Sequence, residues 1–243
     1  MTKMLTERQK KILGTIIEEY TETGGAVGSA VVDKKYNLGV SPATIRNEMV
    51  VLIKEGYLTK PHTSAGRIPT SMAFRFYIKE LMKEKELSVA EEVAVKEKIW
   101  DYRFESEKLL REITKTLAEK TKILALTITT EGNLYQSGHA NILDIPEFYD
   151  IDVTKTVLSL IEEINEVQKL FAKSFGDEPI HVLIGSELGA ELLEPCSLIF
   201  TDFKAGPKLQ GKIGVIGPRR LDFSYIIPVI RYFTELLGEI NRP

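Results

Sequence analysis

Apolar positions recur at helical spacing through the first part of the chain. In LTERQKKILGTIIEEYTET, Ile12, Ile16 and Tyr20 lie four residues apart, which predicts a helix with Thr6 as its N-cap and Gly24-Gly25 as its end. SAVVDKKY follows as a short helix with Ser29 placed to cap it, and Asn37-Leu38-Gly39-Val40 is a tight connector. Ser41-Pro42 then sets a capping residue before a proline at the first helical position, a strong start signal for PATIRNEMVVLIKE, which stops at Gly56. Beyond Gly56 the pattern changes. Tyr57 to Lys60 reads as a short strand, Pro61 to Gly66 as a turn and Arg67-Ile68-Pro69 as a returning strand, before Thr70 and Ser71 open the helix SMAFRFYIKELMKEKEL. Helix, helix, turn, helix and a two-stranded ribbon is the order of a winged helix-turn-helix.

Residues 86–120 predict a connector helix, opened by the capping box Ser88 to Glu91 and carrying an apolar stripe of Val93, Trp100, Phe104, Leu110, Ile113 and Leu117. From there strands and helices alternate. KILALTIT, IHVLIG, CSLIF and KIGVIG read as strands and Glu131-Gly132-Asn133 as a turn. TKTVLSLIEEINEVQKLFAKSF is one amphipathic helix, and SYIIPVIRYFTELLGEI is a closing helix interrupted by Pro228. The expected architecture is α+β: a winged-helix domain over 1–85, a connector helix over 86–120, and a mixed body with an antiparallel sheet over 121–243.

Composition narrows the function classes. No apolar run among the 243 residues approaches the roughly 20 of a membrane span, and MTKMLTERQKK lacks the apolar core of a signal peptide, so a soluble cytoplasmic protein without a membrane partner is expected. The net charge of −3 alone argues against nucleic acid. It is unevenly spread. The first 85 residues carry 14 Lys and Arg against 9 Asp and Glu, and the remaining 158 carry 18 against 26. Ordinary scatter can produce such a split, but a basic head on an acidic body also describes a polyanion-binding module attached to something else.

On a helical wheel Ile45, Met49 and Leu52 share one face of PATIRNEMVVLIKE. Opposite lie Ala43, Asn47, Val50 and Lys54, with Thr44 and Arg46 on the flanks and no carboxylate at the centre. A helix entering a major groove needs this set: small residues for close approach, Asn for adenine, Arg for guanine and Val for a thymine methyl. Arg46 and Asn47 are therefore the candidate base readers, and Ser41 and Thr44 the candidate phosphate anchors. A solvated helix face is the competing reading, under which Val50 would be wasted exposure. The ribbon tip, His62-Thr63-Ser64-Ala65-Gly66-Arg67, has no acid and ends in a guanidinium, which suits phosphate contact or minor-groove entry, with a merely solvated turn as the competing reading.

Enzyme chemistry finds little support. His62, His139 and His181 stand apart from any partner at metal-ligand spacing, and Ser186 in IGSELG lacks a nucleophile elbow. Cys196 sits inside an apolar strand, where a thiol is a small hydrophobe more often than a nucleophile. Arg219-Arg220 after Gly217-Pro218 reads as a structural turn, with anion binding as its rival. No cofactor or metal is expected.

The runs SPATIRNEM and YLTKPHTSAGRIPTSMAFRFYI, with Ala26-Val27-Gly28-Ser29 before them and IPEFYD, IGSE and GKIGVIGPRRLDFSYIIPVI after, resemble the HrcA family of bacterial heat-inducible transcription repressors. The resemblance implies a homodimer that binds an inverted-repeat CIRCE-type operator, as double-stranded DNA, upstream of chaperone genes. It also implies a GAF-like body and help from the GroEL chaperonin in staying active. The chain departs from the family by its shorter middle, where TKILALTITTEGNLYQSGHANILDIPEF passes almost directly from the first body strand to the PEF motif. The family has further strands and a dimerising insert there. The 86–120 helix and the closing helix, with Ile226, Ile227, Ile230, Phe233, Leu236 and Leu237, are expected to supply the dimer interface instead, together with the body sheet. The alternative is a one-component regulator whose GAF-like body binds a small ligand.

Overall fold

The computed structural model describes residues 4–61, 66–173, 178–206 and 209–240. The chain divides into two compact units, Met1–Lys83 and Glu84–Pro243.

In the first unit, α1 (Glu7–Thr23), α2 (Ser29–Tyr36) and α3 (Pro42–Lys54) precede a ribbon of β1 (Leu58–Thr59) and β2 (Ile68–Pro69), and α4 (Ser71–Phe76) runs on into a π-helical turn over Tyr77–Leu81. Thr6 accepts from the Gln9 amide while Gln9 reaches back to Thr6, a complete capping box, and Gly24 ends α1 with φ 69°. Ser29 does not cap α2. Gly28 holds that position without a side-chain bond, and Ser29 is buried as the first helical residue. Ile12, Leu13 and Ile16 of α1 close over Val32, Ile45, Met49 and Leu52 of the next two helices, all at 2% exposure or less. The ribbon pairs antiparallel, Leu58 opposite Pro69 and Thr59 opposite Ile68.

In the second unit a five-stranded, wholly antiparallel sheet runs in the order β4-β3-β7-β6-β5. Its strands are β3 (Leu124–Thr129), β4 (Leu134–Ser137), β5 (Ile180–Ile184), β6 (Cys196–Ala205) and β7 (Leu209–Pro218). β3 is buried at every position, which explains its unalternated apolar run. Leu124, Leu126 and Ile128 pack under α8 (Ile151–Glu162) and α9 (Ile164–Phe171). Thr127 faces the other way, accepting from Thr114 of α6 (Ser106–Thr121) at 2.7 Å. Mixed helix and antiparallel sheet is the α+β class.

Three elements differ from the sequence expectation. Residues 86–120 are two helices, α5 (Val89–Trp100) and α6, separated by turns over 101–105. The break resets the phase of the stripe, so Leu110, Ile113 and Leu117 are buried while Val93, Trp100 and Phe104 stay exposed. The long amphipathic helix is likewise two, because Glu163 takes extended angles (φ −97°, ψ 101°) between α8 and α9. Pro228, by contrast, does not interrupt α10 (Phe223–Ile240). A helical proline orphans the carbonyl four residues earlier, and here the Lys85 backbone N–H donates to that carbonyl of Ser224 at 2.8 Å. α10 also corrects the dimer expectation. Ile226, Ile227, Ile230, Phe233, Leu236 and Leu237 are each 5% exposed or less within this single chain, so they are core and not a free interface.

The start of α5 is pH-sensitive. The Glu91 carboxylate takes the Lys120 ammonium at 2.5 Å and the Ser88 backbone and hydroxyl hydrogens, which hold it down to about 2. A carboxylate lowered on folding stabilises the fold above its unfolded pKa, near 4.5, and loses that contribution as pH falls toward 2. Glu91→Gln is expected to remove this part of the acid limb between pH 4.5 and 2 in a titration of melting temperature, leaving the neutral-pH helix content unchanged.

Candidate functional site

The candidate site is the outer face of α3 and what flanks it. Ser41, in extended conformation, caps the helix by accepting from the Thr44 amide at 3.2 Å, and its hydroxyl lies 3.0 Å from that of Thr44. These two groups thus hold the first turn together and leave Pro42 at the first helical position. Burial of Ile45, Met49 and Leu52 against the first unit's core fixes the rotation of α3. Ala43, Arg46, Asn47, Val50 and Lys54 are consequently turned outward, and Thr44 is half-buried. Val50 is 41% exposed. Among the described residues the side chains of Arg46, Asn47 and Lys54 make no hydrogen bond or ion pair.

Sequence reasoning missed what holds the acid of this helix. Glu48 accepts from the Gln9 side-chain amide at 3.0 Å and pairs with Arg8 at 3.5 Å, with 18% of its side chain exposed. Gln9 is the same residue that completes the α1 capping box through its oxygen. One side chain therefore ties the start of α1 to the middle of α3, and the only carboxylate between Ser41 and Lys54 is engaged away from the exposed face. The partners are 39 residues apart, and no local spacing announces such a pair.

His62, Thr63 and Ser64 lie outside the described residues. Arg67 is half-buried, and its Nη1 donates to the Gly66 carbonyl at 3.3 Å. Its backbone forms a reciprocal bridge with Val27, N–H to carbonyl at 2.8 Å in both directions, which anchors the ribbon to the segment between α1 and α2. Gly66 sits against that segment. A Cβ there would stand 2.6 Å from three backbone atoms of Ala26 and Val27, while its φ is not in the left-handed region.

Elsewhere, Cys196 and the two arginines of the closing turn are engaged within the body. Cys196 is fully buried, and burial together with the nearby Glu147 carboxylate pushes its thiol up to about 12. Arg219 donates to Glu194 at 2.8 Å and Arg220 to Glu147 at 2.5 Å, so both guanidiniums serve ion pairs within the body. No described helix is long and apolar enough to cross a membrane.

The family model described as "HrcA protein C terminal domain" matches residues 11–227. Two curated proteins, each named heat-inducible transcription repressor HrcA, are 27% identical to the chain. That of Symbiobacterium thermophilum aligns over 339 positions, with 98% of this chain and 99% of the relative covered. That of Carboxydothermus hydrogenoformans aligns over 337, with 98% of each covered. Both alignments extend far beyond 243 positions, so a long segment of each relative has no counterpart here. A crystal structure described as a hypothetical protein, at 2.2 Å resolution, superposes with a TM-score of 0.76 at 20% identity over 98% of each chain. That likeness concerns the fold.

Proposed function

The chain belongs to the HrcA family, and from that premise we propose that it is a cytoplasmic transcriptional repressor of heat-shock chaperone genes, with a winged helix-turn-helix head and a GAF-like body. The observation that carries the reading is the outer face of α3: exposed, basic, small where a groove wall must approach, and cleared of its one carboxylate by Arg8 and Gln9. In this reading α3 enters the major groove, with Arg46 pairing with guanine, Asn47 with adenine and Val50 touching a thymine methyl. Lys54, Ser41, Thr44 and the ribbon residues His62, Thr63, Ser64 and Arg67 hold the DNA backbone. The family points to a CIRCE-type inverted repeat. Because one head reads one half-site, such an operator calls for a homodimer. GroEL is the corresponding chaperonin partner.

Competition binding to an inverted-repeat operator against random duplex is the test. Arg46→Ala and Asn47→Ala are each expected to lower discrimination by about 1–3 kcal/mol, the usual worth of a bidentate base contact, while non-specific affinity changes less. Equal loss of specific and non-specific binding in both variants would remove them from base reading.

A further inference from the structure

The sheet of the body ends, on one side, at β4. This strand pairs with β3 alone, Thr127 opposite Tyr135 and Ala125 opposite Ser137. Antiparallel strands exchange hydrogen bonds at alternate residue pairs. The Thr129 N–H donates to the Asn133 carbonyl, which sets the phase: Tyr135 and Ser137 bond to β3, and the N–H and C=O groups of Leu134 and Gln136 point away from the sheet. Among the described residues no backbone hydrogen bond reaches these outward groups.

Natural sheets guard such an edge with lysine, proline, a bulge or a covering element, or by keeping the strand very short, and of the devices within the strand itself β4, four residues long, has the last alone. Leu134-Tyr135-Gln136-Ser137 contains neither lysine nor proline, and its pairing with β3 is unbulged. Beside it lies a groove of about 800 Å³, with Leu110 and Tyr135 among its walls. Among the described residues, Glu107, Glu131 and Glu162 also line it against the single cation Arg111, which is already held by Glu107 at 3.1 Å. The rim is therefore net negative.

We propose that the free edge of β4 takes an extended, Lys- or Arg-bearing segment of a partner protein as a sixth strand. Main-chain bonds to Leu134 and Gln136 would give the pairing, and the carboxylates of Glu131 and Glu162 the preference for basic side chains. The charge decides the occupant: two copies of this chain joined edge to edge would bring the negative rim against itself.

The full chain is titrated with a short peptide alternating Val and Lys, with the same peptide carrying Glu for Lys, and with one carrying Pro for Val. Amide hydrogen exchange is followed at Leu134 and Gln136. The Val–Lys peptide is expected to slow exchange at both amides and to bind about tenfold more tightly than its Glu counterpart, and the Pro peptide to protect neither. Charge reversal at two exposed sites, Glu131→Lys with Glu162→Lys, should invert the preference while leaving the fold intact. Three results would overturn the proposal: equal binding of the Pro peptide, unchanged exchange at saturating Val–Lys peptide, or protection that rises with protein concentration alone. The last would mean that a second copy occupies the edge.

Discussion

Gly66→Val is expected to cost the first unit about 4 kcal/mol of stability. Its Cβ alone would lie 2.6 Å from the backbone of Ala26 and Val27, atoms that cannot swing aside as a flexible side chain would. Relief requires moving the ribbon away from that segment, which breaks the reciprocal Val27–Arg67 bridge. Overpacking of this kind costs about 1–3 kcal/mol, and two lost backbone hydrogen bonds add about 1 kcal/mol each. Gly66→Ala carries the same Cβ and should reproduce most of the effect. Amide exchange at Val27 and Arg67 in the full chain measures it directly: both amides should lose protection while those of β7 in the body keep theirs. Retained protection at Val27 and Arg67 would show that the ribbon accommodates the Cβ.

The glycine also shows what a single sequence can and cannot give. That a side chain at Gly66 would harm the ribbon is readable from its place in a turn. The reason is not a backbone conformation reserved for glycine, since its φ is not left-handed, but a segment forty residues away in the chain, which no local pattern announces. α3 was legible throughout. Its start signal Ser41-Pro42 and its core set Ile45, Met49 and Leu52 are local features, and the exposed face follows from them by rotation alone. The partners of Glu48 were not, since they sit on another helix.

In the body, apolar content was read correctly and its destination was not. The six large apolar residues of α10 exceed what one stripe against one neighbour needs, but α10 packs on β6 and meets α5 and α6 as well, so several neighbours share them. Helix breaks at 101–105 and at Glu163 carry no proline or glycine to mark them. Across the first break α5 packs on α6 and α10, and α8 and α9 cover one face of the sheet, contacts that are tertiary and leave no local mark. β4 is four residues long with a single aliphatic side chain, too short for a period-two signal.

The largest expected effect in the body concerns the pair that joins the PEF motif to the closing Gly-Pro-Arg-Arg turn. Arg220 donates through Nε to Glu147 Oε1 at 2.5 Å and through Nη2 to Oε2 at 3.2 Å, a two-point contact between residues 73 apart, with side chains 16% and 20% exposed. Removing one partner of a fully buried pair costs about 3–5 kcal/mol, because the other charge is left desolvated. Partial solvent access lowers that figure, to about 3 kcal/mol for Arg220→Ala and about 2 kcal/mol for Glu147→Ala. The two losses should not add. Once one partner is gone, the second removal relieves a stranded charge, so the double variant should fall short of the sum by about 1–3 kcal/mol. In thermal unfolding Arg220→Ala should lower the transition of the body by about 5–10 °C, while amide protection in α1 to α3 is unchanged. Full additivity would mean that the two side chains act separately, and the turn would then owe its shape to its other ties, the Arg219–Glu194 pair and the Arg219 N–H donating to the Pro195 carbonyl at 2.6 Å.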